Sequence, residues 1–407
     1  MTTHDGAGPR PAPQPDHARL AETVAGGPLT SEGPGSVHRY RSLVLGAVGV
    51  LMLAMAMLMG YSGAFSQPQL NNVELAVTGD ASSIVALEQQ EALELTVVES
   101  DADAQQLVRD RDVDGAVVLP AAGQGGTVTT YIASGSGRSQ ALAIAAAGTT
   151  IAQNLGATDA TTDLAPLPEK DPGGSLEFYA VLFVTLGASL GSTLFGRILG
   201  TVDTATRFVE RSIVLVVYSA ALAGLVTLWI AKGLEGVTVD PWGVMATLTL
   251  TALAVGGAVT GVAAVGGTIA ALAVTVLLVV LGNPSTGGPL GIHLLNDFYQ
   301  SLYYVFPQGD GLEIIRSIQY FDGAAVAGPV ARLAIWATCG VLLALVAMLL
   351  RSRREARASR SHRSASATEH FVQIDRQVPA ATPQAALRGS ASRHGGTGEV
   401  PTEPVAG

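Results

Sequence analysis

The chain has 407 residues, of which 48% are hydrophobic and 14% charged, with a formal net charge of -10. Its apolar residues come in long blocks, several near the roughly 20 residues that cross about 30 Å of hydrocarbon as a helix, which excludes an ordinary soluble globular chain. Residues 66–175 hold 15 Asp and Glu against four Lys and Arg, which excludes nucleic acid as a partner of that region.

Residues 1–38 are rich in Pro, Gly, Ser, Thr and His without apolar periodicity. They bury too little surface to offset chain entropy and read as a disordered cytoplasmic tail. A first span covers 42–60 behind Arg39 and Arg41, which by the positive-inside rule keep the preceding segment in the cytoplasm. The 38-residue leader and the length of the apolar block speak against a cleaved signal peptide.

Residues 66–175 change character. Apolar residues alternate at Val73, Leu75 and Val77 and again at Leu93, Leu95 and Val97, and a short apolar run covers Ala116–Leu119. This is the period of half-buried strands. Helical stretches fall at Ser82–Gln90, Asp103–Arg109 and Ser139–Leu155, so the region predicts a small α/β extracytoplasmic domain. Asp171-Pro172-Gly173-Gly174 breaks the chain behind it.

Five further spans are predicted over 178–196, 213–230, 244–262, 266–282 and 333–350. From Val244 to Leu281 the apolar block is nearly twice a span's length, with Gly266-Gly267 near its middle, so two helices in a tight hairpin fit better than one. Arg197, Arg207 and Arg211 assign the loop after the second span to the cytoplasm, and Trp242 reads as a headgroup-level anchor. Arg351, Arg353, Arg354, Arg357 and Arg360 open a disordered basic tail, 351–407, on the same side. They read either as plain topology determinants or as a site that attracts anionic membrane lipid at about 1 kcal/mol per arginine. The predicted fold is a polytopic α-helical membrane protein of six transmembrane helices, with the α/β domain between helices 1 and 2 and both termini cytoplasmic. Two lysines against 21 arginines, with abundant Ala, Val and Gly, fit a high-GC bacterial genome.

Spans two to five contain no titratable side chain in their central portions, so the intramembrane relay of a proton-coupled pump is missing. Gly187 with Gly191, and Gly257 with Gly261, form small-xxx-small pairs that let helices approach, either within the chain or across a dimer interface. Ser189 and Ser192 either line a polar path or bond their own helix. The external segment 283–328 holds Phe298, Tyr299, Tyr303, Tyr304, Phe306, Tyr320 and Phe321, seven of the chain's 21 aromatic residues. Of these, Phe298, Tyr303, Tyr304, Phe306, Tyr320 and Phe321, together with Arg316, are the candidates for an outer gate or lipid contact.

Catalytic readings find no support. The sequence has no Gly-x-Ser-x-Gly elbow, no His-Glu-x-x-His and no phosphate-binding Gly-x-x-x-x-Gly-Lys loop. The lone Cys339 forms neither an intrachain disulfide nor a thiolate cluster. His293 stands alone in the external segment and reads as solvent-exposed. The chain is thus read as no enzyme, with no cofactor, metal site or catalytic residue.

Three segments between spans five and six carry a resemblance: Asn283-Pro284-Ser285-Thr286-Gly287-Gly288, Phe306-Pro307-Gln308-Gly309, and Ile315-Arg316 followed by Tyr320-Phe321. With the strand ending Gly115-Ala116-Val117-Val118-Leu119-Pro120 and the order of elements over about residues 40 to 350, they resemble the type-2 ABC exporter permeases, in particular the phage-infection-protein (Pip) and related bacterial branch. The resemblance implies a multi-pass permease subunit of the bacterial cytoplasmic membrane that exports an amphiphilic or envelope-related substrate. It implies a homo- or heterodimer driven by a separate cytoplasmic ATPase subunit. The ATPase would dock on the loop between spans two and three, where Thr204, Arg207, Phe208 and Glu210 are the candidates. The alternative is a non-transporting envelope protein whose ectodomain binds a ligand, a phage or a secretion partner.

Overall fold

The computed structural model describes residues 34–80, 84, 93–120, 126–200, 202–237 and 239–377. The expected helix over Ser82–Gln90, apart from Ile84, and most of both tails lie outside them.

A first helix, α1 (Pro34–Phe65), leads into a five-stranded sheet built from β1 (Val73–Thr78), β2 (Leu93–Val97), β3 (Gly115–Val118), β4 (Thr127–Ile132) and β5 (Thr158–Asp163). The sheet order is β2-β1-β3-β4-β5, parallel except where β3 and β4 run antiparallel. Because side chains alternate across a strand, Val73, Leu75 and Val77 face one layer while Ala76 faces the other. The first layer is closed by Ala141, Ile144 and Ile151 of α3 (Arg138–Leu155). The second is closed by Ala104 and Val108 of α2 (Asp101–Asp110) and by Phe321, which arrives from near the far end of the chain. The sheet unit therefore borrows part of its core from the segment preceding the last helix. Neither β4 nor β5 was expected: β5 reads Thr-Asp-Ala-Thr-Thr-Asp, which offers no apolar alternation and pairs at an exposed edge.

The rest is helical: α4 (Leu176–Ile198), α5 (Ala205–Leu228, prolonged by a π-turn to Gly233), α6 (Pro241–Leu277), α7 (Asp297–Tyr303), α8 (Pro307–Tyr320) and α9 (Ala327–Gln377). Among the described residues five helical segments are long and apolar enough to cross a membrane: Tyr40–Phe65, Leu176–Ile198, Ala205–Gly233, Pro241–Thr286 and Ala327–Arg360. The last does not end with the apolar block at Leu350 but continues through the arginines to Gln377, where a disordered tail was expected. Once a helix is nucleated, adding Ala and Arg residues costs little.

The fourth segment breaks at Gly267, whose φ of 72° and ψ of -164° leave the helical region. A Cβ on Gly311 of α8 would stand 2.6 Å from Thr251 Oγ1. Gln308 Nε2, three residues earlier on α8, donates to the Leu278 carbonyl at 2.8 Å. A straight helix would hold Thr251 and Leu278 about 40 Å apart, so α6 doubles back at Gly267. The bend lies near the middle of α9, just past its apolar half, where Arg351 Nη2 donates to the Ala264 carbonyl at 2.5 Å.

Candidate functional site

Charged and polar side chains from distant parts of the chain meet where the sheet unit joins α7, α8 and the coil before them. On the sheet side the approach is made by Arg111, the residue that ends α2. Ser100 caps the start of that helix by accepting from the Asp103 amide at 3.2 Å. Arg111 closes it in the left-handed conformation, at φ 65°. A non-glycine residue there costs about 1 kcal/mol, offset here by what its side chain gains. Arg111 Nη2 pairs with Glu313 Oε1 at 2.8 Å, Nη1 donates to Ser317 Oγ at 2.7 Å, and the guanidinium lies 4.6 Å from the centre of the Phe321 ring.

From the other side Arg316, buried on α8, reaches back. Its Nη1 donates to the Ser136 carbonyl at 2.7 Å and its Nη2 to the Gly288 carbonyl at 2.6 Å. One turn on, the Tyr320 hydroxyl donates to Glu177 at the start of α4. Its ring lies so close over Gly135 that a Cβ there would meet the ring carbon Cγ at 2.5 Å. The Tyr303 hydroxyl donates to Glu313 Oε2 at 2.5 Å, and burial together with that carboxylate pushes the phenol well above its ordinary value.

Beside these clamps Asp114, one residue before β3, gathers the Glu74 amide at 3.0 Å, Gln140 Nε2 at 2.8 Å and His293 Nε2 at 3.3 Å. The other ring nitrogen of His293 faces the Asn71 carbonyl at 3.2 Å. A neutral imidazole donates from one nitrogen only, and here both face acceptors. Burial raises the Asp114 carboxyl and the histidine opposes it. The expectation of a solvent-exposed His293 is corrected on this point: the ring is half-buried and bridges the two parts of the chain.

These groups line a cavity of about 230 Å³ walled by carboxylates (Glu74, Asp114, Glu313) and by cations (Arg111, Arg316, Arg332). On its α9 side, Arg332 holds the buried Asp310 of α8 at 2.6 Å. Burial lifts that carboxyl to about 6 against the pull of the arginine. Glu74 is also raised, first by burial and then by the neighbouring Asp114. The walls offer groups of both charges to whatever enters the cavity. Among the described residues no trio of His, Cys, Asp or Glu could hold a metal ion.

The residues singled out from the sequence part into three places. Of the outer-gate set, Tyr303, Phe306, Arg316 and Phe321 are buried, Tyr320 is half-buried over Gly135, and only Phe298 and Tyr304, more than half exposed, turn outward. Gly187 and Gly191 admit Leu222 and Tyr218 of α5, and Gly257 and Gly261 admit the backbone of α9 at Gly340. All four make contacts inside one chain. At the opposite end of the bundle Thr204 caps α5 by accepting from the Arg207 amide at 3.3 Å, and Arg207 pairs with Asp203 at 2.5 Å. Thr204, Arg207 and Glu210 are exposed, and Phe208 packs on Val202 and Ala344. The sequence reading missed Arg111, Asp114, Gln140 and Glu313. Arg111 carried the one available signal, a rare cation in an acidic region. No family model, no curated protein and no solved structure matches this chain.

Proposed function

We propose that the chain is the membrane-spanning subunit of an ABC-type exporter that releases an amphiphilic or envelope-related substrate from the bacterial cytoplasmic membrane, driven by a separate ATPase. The reading has six crossings, α6 supplying two through its bend at Gly267. The sheet unit stands outside, and the segment 197–211, which joins α4 to α5 and includes the first turns of α5, inside. The observation that carries it is the position of α8. One side of this helix packs into the bundle, where Leu312 and Ile315 join the core of α4, α5 and α6. The other side is clamped to the sheet unit through Arg316 and Glu313, and Phe321 enters the sheet unit's own core. A contiguous packed element of this kind can carry coupling between distant sites. Motion imposed on α4 and α5 from the inner loop would be passed outward through α8 without a flexible joint.

The test is copurification. The full chain is crosslinked in its native membranes and isolated in detergent, and a Walker-motif ATPase is sought in the complex. Exporter function predicts that it is present, and that Arg207→Glu, which reverses an exposed charge, removes it while leaving the thermal midpoint unchanged. Absence of such an ATPase from the wild-type complex rejects active transport. The mixed-charge junction cavity favours one second reading, an envelope protein that binds a ligand between its sheet unit and its outer helices.

A further inference from the structure

At the inner-loop end of the bundle a positive charge is buried with no counter-charge among the described residues. Arg211 on α5 is 6% exposed, and its guanidinium donates from Nη1 to the Gly200 carbonyl at 3.0 Å and from Nη2 to the Ser192 carbonyl at 3.2 Å. Among the described residues it has no carboxylate at ion-pair distance: the ion pairs there use Arg111, Lys170, Arg207, His293 and Arg332. A guanidinium carries five N–H donors, and these two contacts end on uncharged carbonyls. Buried charges are ordinarily paired, the more so within the span of a membrane. The carbonyl end of α4 supplies at most about half a negative charge. Arg197, exposed at the end of α4, adds a second positive charge that also lacks an ion-pair partner among the described residues.

Small cavities of about 30 and 40 Å³ flank the Arg211 side chain. The larger is lined by Arg211, Arg197, Ser192 and Thr193. Thr193 bonds its own helix, its hydroxyl donating to the Ser189 carbonyl at 2.9 Å. The Ser192 hydroxyl does not: it is 2% exposed and has no hydrogen-bond partner among the described residues. Gly196 lies beside the guanidinium, where a Cβ would stand 3.4 Å from Arg211 Nη1. Two cations, a buried hydroxyl without a partner and room for one small group make a site for an anion.

We propose that this pocket binds a phosphate-type anion, with Arg211 and Arg197 supplying charge and the Ser192 hydroxyl donating a hydrogen bond to an anion oxygen. The anion is either the headgroup phosphate of an anionic phospholipid or a free phosphate-bearing solute. The inference is independent of the exporter reading. It requires only that α4 and α5 lie in a bilayer.

The full chain in neutral detergent is to be titrated with phosphatidylglycerol, with phosphatidylcholine at equal mole fraction and with inorganic phosphate, reading the thermal midpoint and the lipid retained in native mass spectra. Wild type is expected to be stabilised by phosphatidylglycerol or by phosphate and not by phosphatidylcholine. A response to phosphatidylglycerol alone assigns the lipid headgroup, and an equal response to phosphate assigns the solute. Arg197→Gln and Ser192→Ala, which leave the Arg211 clamp on α4 intact, are each expected to weaken the response at least fivefold. The basic run Arg351–Arg360 could hold anionic lipid by itself, and Ser192→Ala leaves it untouched. No stabilisation by either anion, or a response unchanged in both variants, overturns the proposal. ATPase copurification is scored separately, so failure here leaves the exporter reading standing.

Discussion

The two ends of the helical bundle are held by different physics. At the junction with the sheet unit, α8 is fixed by charged groups that answer one another: Arg111 with Glu313, Arg332 with Asp310, and Arg316 with two carbonyls. At the other end, contact is made by small residues and backbone, as where Gly340 of α9 lies against Gly257 and Gly261 of α6, and Arg211 donates to uncharged carbonyls with no carboxylate partner among the described residues. Ionic clamps are strong only when both members are present, because either alone is a buried charge or an unsatisfied acceptor. Glycine contacts depend on shape and are indifferent to pH and salt. The junction should therefore break by losing one partner, and the helix contact by gaining one atom.

The largest effect is expected at Arg316. Arg316→Ala strands the Ser136 and Gly288 carbonyls and removes a cation facing Glu177 and Glu313, and should cost about 3 kcal/mol or more. Limited proteolysis would follow it, with the sheet unit cut free of the bundle earlier than in wild type. Unchanged digestion would show that the apolar insertion of Phe321 suffices without the clamp. Gly340→Val comes next. Its Cβ would stand 2.4 Å from the Gly257 carbonyl carbon, a clash that only separation of α6 and α9 relieves, and it should cost about 2 kcal/mol. Thermal midpoints in high and low salt sharpen the contrast, since this loss should be the same in both.

The smallest effect is a change of pH dependence at Asp310. Its carboxyl is raised from 3.8 to about 6 by burial, so the folded state holds the proton more tightly than the unfolded state. The resulting stability is complete below 3.8 and is lost as the pH rises through about 6. Asp310→Asn keeps an acceptor for Arg332 and should flatten the thermal midpoint across that window, while changing stability by about 1 kcal/mol or less under acid conditions. An identical pH profile in the variant would assign the dependence to Asp114 and Glu74 instead.

Where one face of an element was apolar, its identity was legible. Val73, Leu75 and Val77 announced β1, and the helical stretches at Asp103–Arg109 and Ser139–Leu155 fell inside α2 and α3. The polar edge strand β5 was not legible, because its pairing with β4 is backbone hydrogen bonding that any side chain permits. The junction was illegible for a related reason. Asp114 and His293 lie far apart in sequence and become partners only after β3 and the coil before α7 are brought together. The aromatic cluster between 298 and 321 was visible, yet its division into buried Tyr303, Phe306 and Phe321 and outward Phe298 and Tyr304 followed from how α7 and α8 pack.

By itself the sequence determined that this chain has helices long and apolar enough to cross a membrane, and that an acidic unit interrupts them after the first, because hydropathy and charge act locally and are summed along the chain. Only the tertiary structure decided that Thr251 and Leu278, on either side of the bend at Gly267, both meet α8, that the sheet unit completes its core with Phe321, and that Arg211 is buried with no carboxylate at ion-pair distance among the described residues. Each of these depends on what stands opposite a residue once distant segments meet, and burial and pairing belong to that meeting.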